Sequence, residues 1–242
     1  MRLRRKYADV LSEIMRADNT LEIEIAHIKK KYKKKEVLKD ICLKTTGGKC
    51  IGILGGNGSG KSTLLSILAG VLKGAEGEFL WQGKNLLENS SLCAEIIGYI
   101  PQGIPLLEEL SARDNLLLWY DRGKLEQELK EGVLAMLGMK DFLKTPVYKM
   151  SGGMKKRLAI GCAVAGNPRI LLMDEPSAAL DLECKERIIN YICEFKEQGG
   201  TIFLATHDVQ EIEVCDEWYI LKDGVLHAYQ YDGNVHRLVG ML

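Results

Sequence analysis

A short apolar run, Lys49 to Leu54, leads straight into Gly55-Gly56-Asn57-Gly58-Ser59-Gly60-Lys61-Ser62-Thr63, and helical apolar spacing follows from Thr63 to Leu72. Buried strand, glycine-rich loop and helix in that order fit the pattern G-x-x-x-x-G-K-[ST] in its required setting. The glycines let the backbone wrap closely around a polyphosphate, so several N–H groups converge on its oxygens, and the helix adds the positive end of its dipole. Lys61 places a cation on the β- and γ-phosphates, and Ser62 offers its hydroxyl to Mg²⁺. Gly55, Asn57, Gly58, Ser59, Gly60, Lys61, Ser62 and Thr63 are therefore the expected phosphate-binding residues. A glycine-rich turn without a ligand is the competing reading, and the strand before and helix after it count against that.

A second signal is Ile170-Leu171-Leu172-Met173-Asp174-Glu175, an apolar strand ending in two adjacent carboxylates. At the C-terminal end of a parallel strand both would meet the ligand crevice. Asp174 can hold the Mg²⁺ shell through water, leaving Glu175 free to orient and polarise an attacking water.

The bulk properties narrow the class. At 242 residues with 46% hydrophobic and 27% charged side chains, the chain can bury one large domain or two small lobes. Lys+Arg and Asp+Glu balance at 33 each, so no excess positive charge points to nucleic acid, and none is expected as a partner. The seven cysteines include no C-x-x-C pair and mostly have apolar neighbours, which predicts buried free thiols in a reducing compartment rather than a metal site. No apolar run reaches the roughly 18 residues that span a bilayer, and no apolar stretch follows the basic N-terminus as a signal peptide would require.

Along the chain, residues 1–18 carry an apolar stripe (Leu3, Tyr7, Val10, Leu11, Ile14, Met15) with arginines mostly elsewhere, predicting a basic amphipathic helix. It could dock on a membrane or a partner, or pack on the chain's own strands. Leu21, Ile23 and Ile25 alternate with Glu22 and Glu24 as a half-exposed, antiparallel strand. Short strands are expected near 38–43, 78–81, 96–100 and 170–173, and at 201–205. Residues 103–165 are rich in Leu, Glu and Lys with helical periodicity, an inserted helical subdomain. Residues 183–198 read as a helix with Ile188, Ile189, Ile192 and Phe195 inward. Asp223-Gly224 joins a terminal hairpin, and no long extension after it suggests a separate regulatory domain.

Between the two nucleotide signals lies Met150-Ser151-Gly152-Gly153-Met154-Lys155-Lys156-Arg157-Leu158. A serine and two glycines opening a helix make a second anion site. Here the chain resembles the ABC (ATP-binding cassette) ATPase family, whose signature is L-S-G-G-Q. Met150 and Met154 depart from that pattern; Met154 loses an amide, but Ser151, Gly152 and Gly153 remain.

The resemblance implies a head-to-tail pair in which each signature caps the ATP on the other copy's phosphate loop. It also implies Tyr32 as the aromatic on adenine, Gln102 as the link from the Mg²⁺ site to the helical lobe, and His207 at the γ-phosphate. The Ser177–Asp181 loop would cross the dimer interface. The catalytic set is then Glu175, His207 and Gln102, and the Mg²⁺ set is Ser62, Gln102 and Asp174. His27, His227 and His236 match nothing in the family and are read as surface or strand residues, not metal ligands.

The expected fold is α/β, a P-loop NTPase core with a mixed sheet, an antiparallel β subdomain and the helical insert, over 21–242, with 1–20 outside it. The implied activity is ATP hydrolysis with Mg²⁺, powering a separate transmembrane permease subunit from the cytoplasmic face of the membrane; the general look resembles separate-subunit exporters, while the residues leave import and export both open. A second ATPase subunit, identical or not, completes the pair. The alternative is a soluble ATPase of the same family without a membrane partner; such proteins usually carry two cassettes in one chain or long coiled-coil insertions, and this chain shows neither. A cassette that binds ATP without hydrolysing it is disfavoured by Lys61, Asp174, Glu175 and His207.

Overall fold

The computed structural model describes residues 21–33, 35–103 and 105–241. The amphipathic helix expected over 1–18 lies outside them. Among the described residues ten strands form one sheet in the order β5-β4-β1-β2-β10-β9-β3-β8-β7-β6. β1 (Glu22–Tyr32), β2 (Lys35–Thr46), β4 (Glu76–Trp81) and β5 (Lys84–Asn85) pair antiparallel. β3 (Cys50–Leu54), β6 (Ile97–Ile100), β7 (Ile170–Asp174), β8 (Thr201–Ala205) and β9 (Glu217–Lys222) pair parallel. β10 (Val225–Tyr229) joins the halves, antiparallel to β9 and parallel to β2. Its hairpin turn places Asp223 and Gly224 both at positive φ, 51° and 79°, as the two-residue turn that matches strand twist requires.

β3, β7 and β8 are buried along their whole length, as parallel strands covered on both faces should be. Period-two alternation then divides their side chains between two cores. Ile51, Ile53, Ile170, Leu172, Phe203 and Ala205 join the apolar faces of β1, β2 and α1 (Lys61–Leu68). Cys50, Leu171, Met173, Ile202 and Leu204 face the other core. That core is shared with the helical insert: α3 (Ala112–Leu116), α4 (Arg122–Glu131), α5 (Val133–Met136) and α6 (Gly152–Ala163), plus α7 (Leu182–Glu197).

Several expected boundaries differ. The first helix begins at Lys61, not Thr63, and stops at Leu68 because Gly70 turns left-handed at φ 69°. β2 is twelve residues, not a short strand at 38–43, because its polar flanks pair with β1. A helix α2 (Ser90–Ile96), capped by the Asn89 side chain, directly precedes β6. On α7 the buried face is Cys184, Ile188, Tyr191 and Ile192; Ile189 and Phe195 are only half-buried. All seven cysteines are free, but Cys42 is exposed, because β2 turns that position away from the core.

Leu172 is fully buried at the centre of β7. Leu172→Ala should destabilise the protein by about 2–5 kcal/mol through lost transfer energy and a cavity. Chemical denaturation checks this as a lowered midpoint with an unchanged slope.

Candidate nucleotide site

The loop 55–60 leaves the end of β3 and becomes the N-terminus of α1, with Gly60 at the cap in a left-handed conformation, φ 111°. A Cβ on Gly55 would lie 2.6 Å from the Leu221 carbonyl oxygen and 2.7 Å from Ser59 Oγ, so the loop closes only around a bare backbone. A Cβ on Gly60 would press on Leu38 and Val37, which shows that β2 walls one side of the loop.

Lys61 Nζ folds back over the loop and donates to the carbonyls of Gly55 at 2.6 Å and Gly56 at 3.3 Å. Burial holds Lys61 below the ordinary lysine range, opposed by the carboxylates of Glu175 and Asp174. Ser59 Oγ is buried without a partner among the described residues. A backbone cradle, an orphaned hydroxyl and a cation held in reserve by carbonyls are what a polyphosphate would satisfy.

Asp174 ends β7 and is buried. Burial raises its pKa; the Ser62 hydroxyl lowers it, Glu175 raises it, and Lys61 and Lys156 lower it, with a net upward shift. Buried acid beside a hydroxyl, both oxygen donors, suits a hard divalent cation such as Mg²⁺.

Glu175 follows at φ 47°, fixed by its N–H donating to the Ala205 carbonyl at 2.9 Å. That left-handed step turns its carboxylate out of the strand direction. Gln102 Nε2 donates to Oε2 at 3.1 Å, and His207 Nδ1 lies 3.3 Å from Oε1. Gln102, Glu175 and His207, distant in sequence, thus meet around one carboxylate.

The signature lies apart from this cluster. Ser151 caps α6, its Oγ accepting from the Met154 N–H at 3.2 Å. Gly153 is buried, and a Cβ there would approach Cys184 Sγ to 2.4 Å, so the second glycine is a packing requirement between α6 and α7. No hydrogen bond or ion pair among the described residues joins Ser151–Gly153 to the phosphate loop. Tyr32 also makes no contact of that kind with it; the ring stands 44% exposed at the end of β1, with Lys30 Nζ 5.5 Å from its centre. Asp181 caps α7, and accepting the Cys184 N–H lowers its pKa.

One participant was not legible in the sequence. Lys156, in the middle of a basic trio, is buried on α6, with Nζ donating to the Pro101 carbonyl at 3.2 Å. Burial lowers its pKa against the pull of Asp174, Glu211 and Glu175. The lysine spacing gave no sign which of Lys155 and Lys156 turns inward; helix phase against the core decides it.

The family described as ABC transporter matches residues 38–178. The linearmycin resistance ATP-binding protein LnrL of Bacillus subtilis is 32% identical over 212 residues, 85% of this chain and 68% of that protein. The lipoprotein-releasing system ATP-binding protein LolD of Aquifex aeolicus is 34% identical over 223 residues, 88% of this chain and 96% of that one. A dimeric ATP-binding cassette solved in a post-hydrolysis state with ADP and Pi superposes with a TM-score of 0.75 at 28% identity, covering 86% of this chain and 98% of that one.

The Gly153–Cys184 contact makes a direct prediction. Gly153→Ala should cost about 1–3 kcal/mol by overpacking. In the Cys184→Ala background the same change should cost less, and the coupling is read from a double-mutant cycle in denaturant.

Proposed function

The chain belongs to the ABC transporter family as an ATP-binding, ATP-hydrolysing subunit, and on that premise we propose that it powers an exporter whose membrane-spanning part is a separate polypeptide. It works as a head-to-tail pair, with two ATP molecules between the copies. The observation that carries this reading is that one chain presents two helix starts of the kind suited to anions, Gly60–Lys61 on α1 and Ser151–Gly152 on α6, with no hydrogen bond or ion pair joining them among the described residues. A second site with no use inside its own subunit acquires one when another copy supplies the phosphates.

In this reading Gly55, Asn57, Gly58, Ser59, Gly60, Lys61, Ser62 and Thr63 bind the phosphates, and Tyr32 stacks on the base. Ser62, Asp174 and Gln102 would hold Mg²⁺, whose charge would offset that of the phosphates. Glu175 accepts a proton from the attacking water, oriented by Gln102 and His207. Ser151, Gly152 and Gly153 serve the partner's nucleotide, with the Ser177–Asp181 loop beside them. Lys156 positions Pro101 and the acidic cluster through its buried charge.

No helix among the described residues is long and apolar enough to cross a membrane. A groove of about 370 Å³ is lined by Tyr99, Pro101, Leu106, Trp119, Ala159 and Ala163. Trp119 is 64% exposed at its mouth. This groove receives a cytoplasmic segment of the membrane subunit, which holds the protein at the inner face of the membrane. The export direction is supported by relatives whose names describe resistance and release. Recovery of this chain from detergent-solubilised membranes with a polytopic protein tests the partner; recovery only from the soluble fraction, with no such protein, would reject it.

Glu175→Gln should retain ATP binding and lose turnover, since an amide cannot take the water's proton, and ATP should then hold two copies together. Phosphate release and light scattering check both parts. In that background, Ser151→Arg should still bind ATP as a single subunit but fail to form the ATP-dependent dimer. A normal dimer would remove the cross-subunit role of the signature.

A further inference from the structure

The outer face of the β1–β2 hairpin carries a cluster that the nucleotide site does not use. On β1 the buried positions change phase, from Ile23 and Ile25 to Ile28 and Lys30. The register gives the cause: Ile25 opposes Leu43 while Ile28 opposes Ile41, so three steps along β1 match two along β2. Lys30 then opposes Leu38, and a compensating extra residue falls on β2. The first bulge contains His27, at φ 54°, and the second contains Asp40. Without the first, position 27 would continue the inward series of 23 and 25. With it, the imidazole lies outside, beside Asp40 and Cys42.

The three side chains converge. His27 Nδ1 is 2.8 Å from Asp40 Oδ1 and 3.5 Å from Cys42 Sγ, and Cys42 Sγ is 3.8 Å from Asp40 Oδ1. The His27 backbone N–H donates to the same sulfur at 3.4 Å. A surface His–Asp pair accounts for the first distance, and strand alternation puts Cys42 on the same outward face of β2 as Asp40. One ion would engage all three. With Zn–N and Zn–O near 2.1 Å and Zn–S near 2.3 Å, these separations subtend about 105° (N–S), 119° (O–S) and 84° (N–O) at the metal. The side chains of His27 and Asp40 are 71% and 52% exposed, so the remaining coordination position opens to water.

We propose that His27, Asp40 and Cys42 form a binding site for a thiophilic divalent transition-metal ion of the zinc type. Imidazole, carboxylate and thiolate together favour such an ion over Mg²⁺ or Ca²⁺, which take oxygen donors. Binding takes Cys42 as thiolate, with the thiol proton released to solvent, and requires the His27 ring proton on Nε2 so that the Nδ1 lone pair faces the metal. Asp40 is already an acceptor. The ion pins the bulges of the strand that ends at Tyr32. Lys29, the neighbouring cation, opposes the ion's charge and sets a limit on affinity.

The test is a Co²⁺ titration of the reduced, metal-free full chain without nucleotide. A thiolate-to-cobalt charge-transfer absorption should grow to saturation at one ion per chain, vanish on addition of Zn²⁺, and be accompanied by release of a proton to a weakly buffered indicator solution. Cys42→Ser should abolish the absorption. His27→Ala and Asp40→Ala should each weaken binding by more than the roughly 10–100-fold that loss of an outer-shell partner costs. Nucleotide affinity should be unchanged in all three; if an alanine variant misfolds, His27→Gln and Asp40→Asn preserve the shape. Absence of the absorption overturns the site. So does its survival in Cys42→Ser, or equal affinity in the two other variants.

Discussion

Two adjacent carboxylates stand at the end of a strand buried on both faces, and the surrounding structure supplies what that placement requires. Asp174 cannot reach bulk water freely, so its charge is balanced by Lys61 from the phosphate loop, Lys156 from the signature helix and the Ser62 hydroxyl. Each lysine is itself pushed downward by burial. Neither charge type is stable there without the other. The loop, β7 and α6 are thereby tied to one electrostatic centre, although they come from distant parts of the chain.

The same contacts connect the chemistry to the helical insert. Glu175 accepts from Gln102; the preceding residue, Pro101, gives its carbonyl to Lys156; and Lys156 is on the helix that Ser151 caps. Further along that helix, Arg157 donates to the Leu137 carbonyl at 3.0 Å and lies over the Phe142 ring at 4.9 Å. A change in the hydrogen bonding of Glu175 therefore has a continuous polar route into the insert. The groove lined by Pro101, Ala159 and Ala163 lies beside these contacts.

The antiparallel half has a different logic. Its inner face closes the core above α1, and its outer face is free to carry irregularities that the central strands could not tolerate. One bulge in β1 and an opposed one in β2 restore the inward register at Lys30 and Leu38 and leave His27 and Lys39 outside, on the face where alternation already puts Asp40 and Cys42. A bulge in β3 or β7, buried on both faces, would turn apolar side chains away from one core or the other.

How much of this was legible in the chain itself depends on whether the determining contacts were local. The loop 55–63 and the run 170–175 could be read directly, because strand–glycine–helix order and a carboxylate pair at a strand end are properties of contiguous residues. Ser151-Gly152-Gly153 was legible as a helix start for the same reason. The glycine at 153 gained its packing reason only when α7 brought Cys184 against it. Periodicity located the strands and the helical insert but misplaced several ends, since pairing partners set the length of β2 and Gly70 set the stop of α1. Tertiary structure alone decided that Gln102, Glu175 and His207 share one carboxylate and that Lys156 rather than Lys155 is buried. It alone placed His27 beside Cys42, where the cysteine spacing pointed away from metal binding. Each of these depends on residues brought together from separate elements, and a pattern along the chain holds no record of which face meets which.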